Sequence, residues 1–198
     1  MVTKPIPKDV VQAERIGRML CSCLPTRGRG REQRKQTDRM EMVQHADLQT
    51  PVGLVTVTAT KGAISRLSWR RSGPGQASCA GSDGVLVEAL KQITAYFSGR
   101  LQTFDLPLNV TGSAYQQLVC AEIAAIPFGE TRTYGDLARR IGSSAQAVGN
   151  ACGANPIPIL IPCHRVLGSS GLGGFSGQGG VETKVALLRH EGAAGLLI

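Results

Sequence analysis

The 198-residue chain lacks three features. No apolar run approaches the roughly 20 residues that a membrane-spanning helix needs, which excludes such a helix. The first 25 residues hold no signal-peptide core, because Lys4, Lys8, Asp9, Glu14, Arg15 and Arg18 interrupt every apolar stretch. The six cysteines, at 21, 23, 79, 120, 152 and 163, show no paired metal-ligand spacing beyond a lone Cys21-x-Cys23, a poor zinc pattern. Without a secretion signal, all six read as reduced thiols of a cytoplasmic protein. No metal and no cofactor is implied.

Charge is uneven. Residues 1–40 carry ten Lys or Arg against four Asp or Glu, and residues 41–198 carry twelve against ten, for a total of +8. A basic balance attracts nucleic acid through phosphate contacts, but here most of it lies in residues 1–44. Thr26 to Gln36 is polar, basic and glycine-containing, a composition that favours disorder. Val10 to Leu20 allows one short helix. The segment reads as a dispensable basic extension, with a DNA-tethering arm as the alternative, and Met40 or Met42 is expected as the natural start.

Leu54 to Ala59 is a β-branched strand entered through the turn Thr50-Pro51-Val52-Gly53. Lys61-Gly62 turns the chain into a hairpin partner, Ala63 to Trp69. Arg70 to Gly84 is loop. Val85, Ala89, Ile93, Tyr96 and Phe97 recur at helical spacing, and Thr103 to Val110 is a third extended segment, edge-like because of Pro107. Residues 45–111 thus form a small three-stranded sheet with one helix, read as scaffold. In residues 112–198, Ser113 caps a helix whose apolar face is Leu118, Val119, Ile123 and Ile126. Thr133-Tyr134-Gly135-Asp136 starts another in capping-box fashion, ended by Gly142. Ser143 and Ser144 open a further helix, Ala145 to about Cys152. The two short helices read as helix-turn-helix. The small residues Ala145, Ala147 and Gly149 permit close approach to a DNA groove, and equally close packing in a core. Ser169 to Gly180 is glycine-rich, suited to bringing backbone N–H groups to a ligand. Val181 to Glu191 is the last helix, with Val185, Leu187 and Leu188 apolar.

The chemistry concentrates in Asn155-Pro156-Ile157-Pro158-Ile159-Leu160-Ile161-Pro162-Cys163-His164-Arg165. An apolar, proline-studded segment, read as rigid and extended, delivers a thiol directly before a base and a cation. A nucleophilic cysteine needs such neighbours to acquire thiolate character. By themselves, Cys163 and His164 also fit a buried free cysteine.

The whole run, ending Pro-Cys-His-Arg-Val, resembles the active-site signature of the 6-O-alkylguanine-DNA alkyltransferases (methylated-DNA–protein-cysteine methyltransferases). The resemblance extends from about Ser113 to Glu191 and more weakly back to Leu48. It implies an α/β (α+β) protein: a ribonuclease H-like N-terminal domain before a mostly helical C-terminal domain with a helix-turn-helix. It implies direct reversal of DNA damage, in which Cys163 irreversibly takes the alkyl group from 6-O-alkylguanine, and by extension 4-O-alkylthymine, in double-stranded DNA. The protein acts once, as a monomer, on a base flipped out of the duplex. His164 matches the base that deprotonates the thiol through a water, and Glu191 the carboxylate that orients it. Asn155 matches an asparagine bracing the active-site turn, and Arg165 is a further brace. Tyr134 matches a tyrosine that donates to the flipped guanine. Ser176 matches the residue whose N–H reaches the leaving oxygen. The carbonyls of Cys163 and Val166 accept from the guanine amino group. Without the resemblance, Glu191 reads as a solvated charge and Tyr134 as an ordinary aromatic.

Three positions depart from the family pattern. Gln146 stands where an arginine commonly fills the space left by the flipped base, which implies weaker or more salt-tolerant DNA binding. Ser143-x-x-Gln146 also fits a capping box. Phe175 replaces a tyrosine in the pocket wall, and Cys152 replaces a larger apolar residue, implying a roomier pocket. The rival readings are a non-catalytic binder of alkylated DNA and a cysteine hydrolase with turnover.

Overall fold

The computed structural model describes residues 43–70, 84–193 and 195. The basic extension through Met42, with its expected helix, its cysteines 21 and 23 and its two candidate starts, lies outside the described residues, as do Cys79 and most of the expected 70–84 loop.

Three strands form an antiparallel sheet in the order β1 (Gln44–Thr50), β2 (Gly53–Thr60), β3 (Ala63–Trp69). The expected hairpin is β2–β3, but the third strand is β1, one turn earlier in the chain than any strand read from the sequence. Its polar residues hide it: of QHADLQT only Ala46 and Thr50 are buried. Thr103 to Val110 is not a full strand. It runs beside β3 through a single bridge, Ile64 to Leu108, held by Ile64 N–H to Pro107 O at 2.8 Å and Asn109 N–H to Ile64 O at 2.8 Å. Val55, Val57 and Ala59 alternate inward along β2. On β3 the inward pair is Ile64 and Leu67, an odd spacing made possible by a bulge: Ala59 faces Ile64 and Thr58 faces Arg66, leaving Ser65 unpaired.

Helix α1 (Gly84–Phe97) covers the sheet with Leu86, Ala89, Ile93 and Tyr96. Helix α2 (Ala114–Ala124) is capped by the Ser113 hydroxyl, which accepts from Gln116 N–H. It buries Val119, Cys120 and Ile123, whereas Leu118, expected on the apolar face, is 46% exposed. A two-residue strand β4 (Arg132–Thr133) leads into α3 (Tyr134–Ile141), whose capping box joins Thr133 and Asp136 reciprocally. Gly142 ends α3 at φ 65°, a left-handed turn that glycine adopts without strain. Ser144 then caps α4 (Ala145–Gly153). The Ser143–Gln146 capping box is not formed: Ser143 Oγ instead meets the Tyr115 hydroxyl at 2.8 Å, and Gln146 donates to Asn150 Oδ1. Gln116 Nε2 donates to Ala151 O at 2.9 Å and ties α4 to α2. A 3₁₀ turn (Cys163–Arg165) feeds β5 (Val166–Leu167), which pairs in parallel with β4, and α5 (Val181–His190) closes the fold.

One apolar core runs through both halves, from Val55, Val57 and Ile93 to Ile123, Leu137, Val148, Ile157, Val166 and Leu187. Each such side chain contributes about 1.5–3 kcal/mol on burial. The edge of β3 is covered by the active-site segment itself, where Leu67 N–H donates to Pro156 O at 2.9 Å. The sheet is thereby a wall against which the Cys163 segment is built.

Candidate active site

The Asn155–Arg165 segment is not extended, as its prolines had suggested, but folded into two tight turns. Ile161 N–H returns to Ile157 O at 2.9 Å, and Ile159 sits at φ 73°. A β-branched residue at positive φ is a strained conformation, costing about 1–3 kcal/mol, that only a rigid surrounding maintains. Asn155 supplies part of that surrounding. Its amide donates to Ile161 O at 2.9 Å and its Oδ1 accepts from Ile157 N–H at 3.0 Å, stitching the two ends of the turn. Pro162, at φ −80° and ψ 64°, then makes an inverse γ-turn closed by Cys163 N–H to Ile161 O at 2.8 Å. Two reversals in quick succession present Cys163 to a cavity while His164 and Arg165 turn inward.

Behind the cysteine, Tyr96, His164 and Arg165 converge on Glu191. This residue caps the C-terminus of α5, where the helix dipole disfavours a carboxylate. Five donors offset that. Oε1 takes Tyr96 OH at 2.7 Å, His164 Nε2 at 2.8 Å and Arg165 Nη2 at 3.0 Å. Oε2 takes Arg165 Nε at 2.8 Å and Gly129 N–H at 3.4 Å. Burial alone would raise the pKa of Glu191, but the hydrogen bonds from His164 and Arg165 outweigh it and bring it down to about 2. Arg165 Nη1 also donates to Ile126 O at 2.5 Å. Since Nε2 of His164 donates to a carboxylate, its Nδ1 carries the lone pair. Nδ1 is buried and has no protein partner. Burial holds His164 below the ordinary imidazole value, against the pull of Glu191, so the ring is neutral. Burial also pushes the Cys163 thiol up, partly opposed by a hydrogen bond with Asn155 and by the charge of Lys184. The resting sulfur is therefore protonated, and a base is required before it can attack.

In front of the cysteine lies an open cavity of about 730 Å³. Cys163, Cys152, Tyr134, Phe175 and Ser176 line it, together with Ala145, Gln146 and Gly149 from α4. Ala147 does not line it and is half-buried on α4. The β4–β5 pair sets Thr133 beside Leu167, so the start of α3 and the end of the cysteine turn are held in register and Tyr134 lines the same cavity as the thiol. The Tyr134 ring rests on Gly173, where any Cβ would lie 3.1 Å from the hydroxyl oxygen and where φ is 69°. Burial keeps the Tyr134 hydroxyl protonated and able to donate. Phe175 packs edge-on against Trp69 of β3, centroids 5.8 Å apart, which ties the glycine-rich loop to the N-terminal sheet. Cys152 is a second buried thiol, pushed up to about 12 by burial. The carbonyl of Val166 accepts from Lys184 Nζ at 2.7 Å, and that of Cys163 accepts from Val166 N–H. Each carbonyl retains one lone pair.

Two polar residues of the site escaped sequence reasoning. In sequence Tyr96 belongs only to the apolar face of α1, yet it reaches across to Glu191 from the N-terminal half. Lys184 is fully buried within α5 and had not been singled out. Its ammonium donates to Val166 O and to Gly174 O at 3.2 Å and lies 6.0 Å from the Tyr134 ring centroid. A lysine at helical spacing from Leu187 and Leu188, on the apolar side of α5, is the available signal. Among the described residues, no cluster of three or more His, Cys, Asp or Glu side chains is placed to hold a metal ion, and no helix is long and apolar enough to cross a membrane.

Comparison with known proteins bears directly on this arrangement. Residues 44–110 match the family described as 6-O-methylguanine DNA methyltransferase, ribonuclease-like domain, and residues 114–193 match 6-O-methylguanine DNA methyltransferase, DNA binding domain. A methylated-DNA–protein-cysteine methyltransferase of Mycolicibacterium paratuberculosis is 37% identical over 155 residues, covering 76% of this chain and 93% of the relative. The crystal structure of a Mycobacterium tuberculosis O6-methylguanine methyltransferase superposes with a TM-score of 0.66 at 38% identity, covering 76% of this chain and 93% of that one. The structure of Mycobacterium tuberculosis OGT in complex with DNA gives 0.65 at 37% identity, covering 77% and 96%. Both halves are matched in order and these relatives are spanned almost end to end, so the chain belongs to the 6-O-methylguanine DNA methyltransferase family.

Proposed function

We propose that this protein repairs alkylated duplex DNA by direct reversal, taking the alkyl group of 6-O-alkylguanine onto Cys163 in a single turnover and acting as a monomer in the cytoplasm. The observation that carries the reading is geometric: Cys163 lines an open cavity, and its neighbour His164 is held through Nε2 by the buried Glu191 carboxylate at 2.8 Å with Nδ1 left unpartnered.

The geometry supports the following course. The flipped base enters the cavity between Tyr134 and Phe175. His164 Nδ1 takes the thiol proton, through a water, and the imidazolium that forms is held by Glu191, an orienter-base-nucleophile arrangement of the triad kind. The thiolate forms a bond to the alkyl carbon as the bond from that carbon to the guanine oxygen breaks. The ammonium of Lys184 favours the thiolate. The Tyr134 hydroxyl and the Ser176 N–H donate to the departing purine, while the free lone pairs of the Cys163 and Val166 carbonyls accept from its amino group. The proton lost by sulfur is balanced by one gained by guanine. The thioether has no leaving group that water can displace, so the protein is spent.

The test is intact-protein mass after incubation with duplex DNA carrying one 6-O-methylguanine, with Cys163→Ala alongside. One methyl group gained by the wild type alone, mapped to Cys163 and equal to the lesion lost, is the expected result. Tight lesion binding without mass gain would favour the non-catalytic binder, and cleavage in excess of protein would favour a hydrolase.

A further inference from the structure

We infer that Arg139 is the residue that takes a DNA backbone phosphate at the mouth of the cavity, an inference that rests on reading the cavity as the place of the flipped base. Helix α4, which presents Gln146 to the cavity, carries no charged residue. Duplex DNA nevertheless carries one negative charge per roughly 1.7 Å of axis, and a nucleotide rotated into the cavity brings its flanking phosphates to the rim. Among the described residues lining the cavity, Arg139 is the one cation. It belongs to α3, four residues beyond Gly135 and hence on the same face. A Cβ placed on Gly135 would lie 3.7 Å from Arg139 Nη1, so the guanidinium lies back along the helix toward Tyr134 and the opening.

The guanidinium is aimed but not consumed. Its Nη2 is bonded to Asp136 Oδ1, while Asp136 Oδ2 is fixed by Thr133 N–H at 2.8 Å and Thr133 Oγ1 at 2.7 Å. The same carboxylate that caps α3 therefore orients the arginine. The side chain remains 76% exposed, and most of its five N–H donors stay available for the forked contact that phosphate oxygens accept. The other arginines nearby differ. Arg140 is turned to Glu122 with Nε at 2.9 Å, and Arg132 to Glu130 with Nη2 at 2.8 Å, and neither lines the cavity. The positive charge missing from α4 is thus supplied by the helix before it, from a last-turn arginine whose side chain reaches back toward Gly135.

The experiment is a binding titration of a lesion-bearing duplex, with a single 6-O-methylguanine, across a series of salt concentrations, comparing the wild-type residues at 139 and 140 with R139Q, R139K and R140Q, all in a Cys163→Ala background so that the lesion is not consumed. One phosphate contact contributes about 0.9 to the slope of log affinity against log salt. R139Q is expected to lower the slope by about that amount, to bind more weakly at low salt, and to converge with the wild type as salt rises. R139K, which keeps the charge, is expected to keep the slope, and so is R140Q. An R139Q slope equal to that of the wild type overturns the inference, as does an equal drop in R140Q, which would mean that only net charge matters. Methyl transfer from the same duplex by the wild type is read in parallel. If it is absent the cavity reading has failed, whereas transfer with an unchanged R139Q slope condemns Arg139 alone.

Discussion

Glu191 concentrates the polar design of the site on one side chain. Its carboxylate serves the reacting centre through His164, the interior through Arg165, and the N-terminal half through Tyr96. The Tyr96 hydroxyl is held protonated by burial and by the neighbouring carboxylate, so it serves as a donor. Tyr96→Phe keeps the ring contacts with Phe97, Phe104 and His190 and removes only that donor. Leaving a buried carboxylate one partner short costs roughly 1–3 kcal/mol. Urea unfolding should show that loss, together with slower methyl transfer because Glu191 is free to pull away from His164. A variant as stable and as fast as the wild type would reduce Tyr96 to a filler of space. Lys184 illustrates the same economy in a cation. Burial lowers its pKa, the thiols of Cys163 and Cys152 raise it, and its hydrogen bonds join β5 to the glycine-rich loop.

At the scale of elements, the glycine-rich loop and the start of α3 form the two jaws of the cavity. Their contact is Tyr134 against Gly173. Gly173→Ala places a methyl group 3.0 Å from Tyr134 Cε2 at a backbone angle of φ 69°, where an L-residue costs about 1–2 kcal/mol. The loop must shift, and a displacement near 1 Å in a positioning group slows a reaction by as much as about 100-fold. Single-turnover transfer should fall toward that limit with a small change in Tm. Gly171→Ala, where a Cβ meets nothing within 4 Å and φ is not positive, should transfer at the wild-type rate. Equal rates for the two variants would show that the loop does not position Tyr134. The short helices α3 and α4 were readable because their ends are written locally: Thr133 with Asp136, Gly142, and Ser144 each act on a neighbour within a few residues.

The molecule as a whole couples its halves through buried charge, and its response to acid follows. Glu191 has a folded pKa of about 2, against about 4.3 for a free glutamate. His164 lies below the roughly 6.5 of a free imidazole. Both folded values are depressed, so in each window the unfolded chain binds more protons than the native one. The stability involved is present above the unfolded value and lost as pH falls. Tm should begin to drop as pH passes below about 6.5, when unfolding lets His164 charge, and drop again between about 4.3 and 2 as Glu191 is protonated. The Glu191 part amounts to roughly 3 kcal/mol. In Glu191→Gln the second drop should shrink to what the more exposed, likewise depressed Asp47 and Asp136 contribute, from a start already lowered by the broken pair. A Tm that stays level from pH 7 to pH 3 would contradict the whole arrangement.

The amino-acid sequence by itself determined whatever rests on near neighbours. The hairpin β2–β3, the capped helices of the C-terminal half and the juxtaposition of Cys163 with His164 are set by residues adjacent or a few positions apart. The resemblance carried by Asn155 to Val166 named Tyr134 and the pairing of Glu191 with His164 in advance, though not the bonds of Glu191 to Arg165 and Tyr96, nor any distance. Tertiary structure decided the rest. β1 is too polar to signal a strand and exists because β2 offers it a full ladder of partners. Ile159 takes a strained φ because Asn155 and the core hold it there. Tyr96 meets Glu191 across a separation of 95 residues. Such contacts leave no periodicity and no local motif, since hydrogen bonding and desolvation depend on distance in space, and only the folded chain makes these residues neighbours.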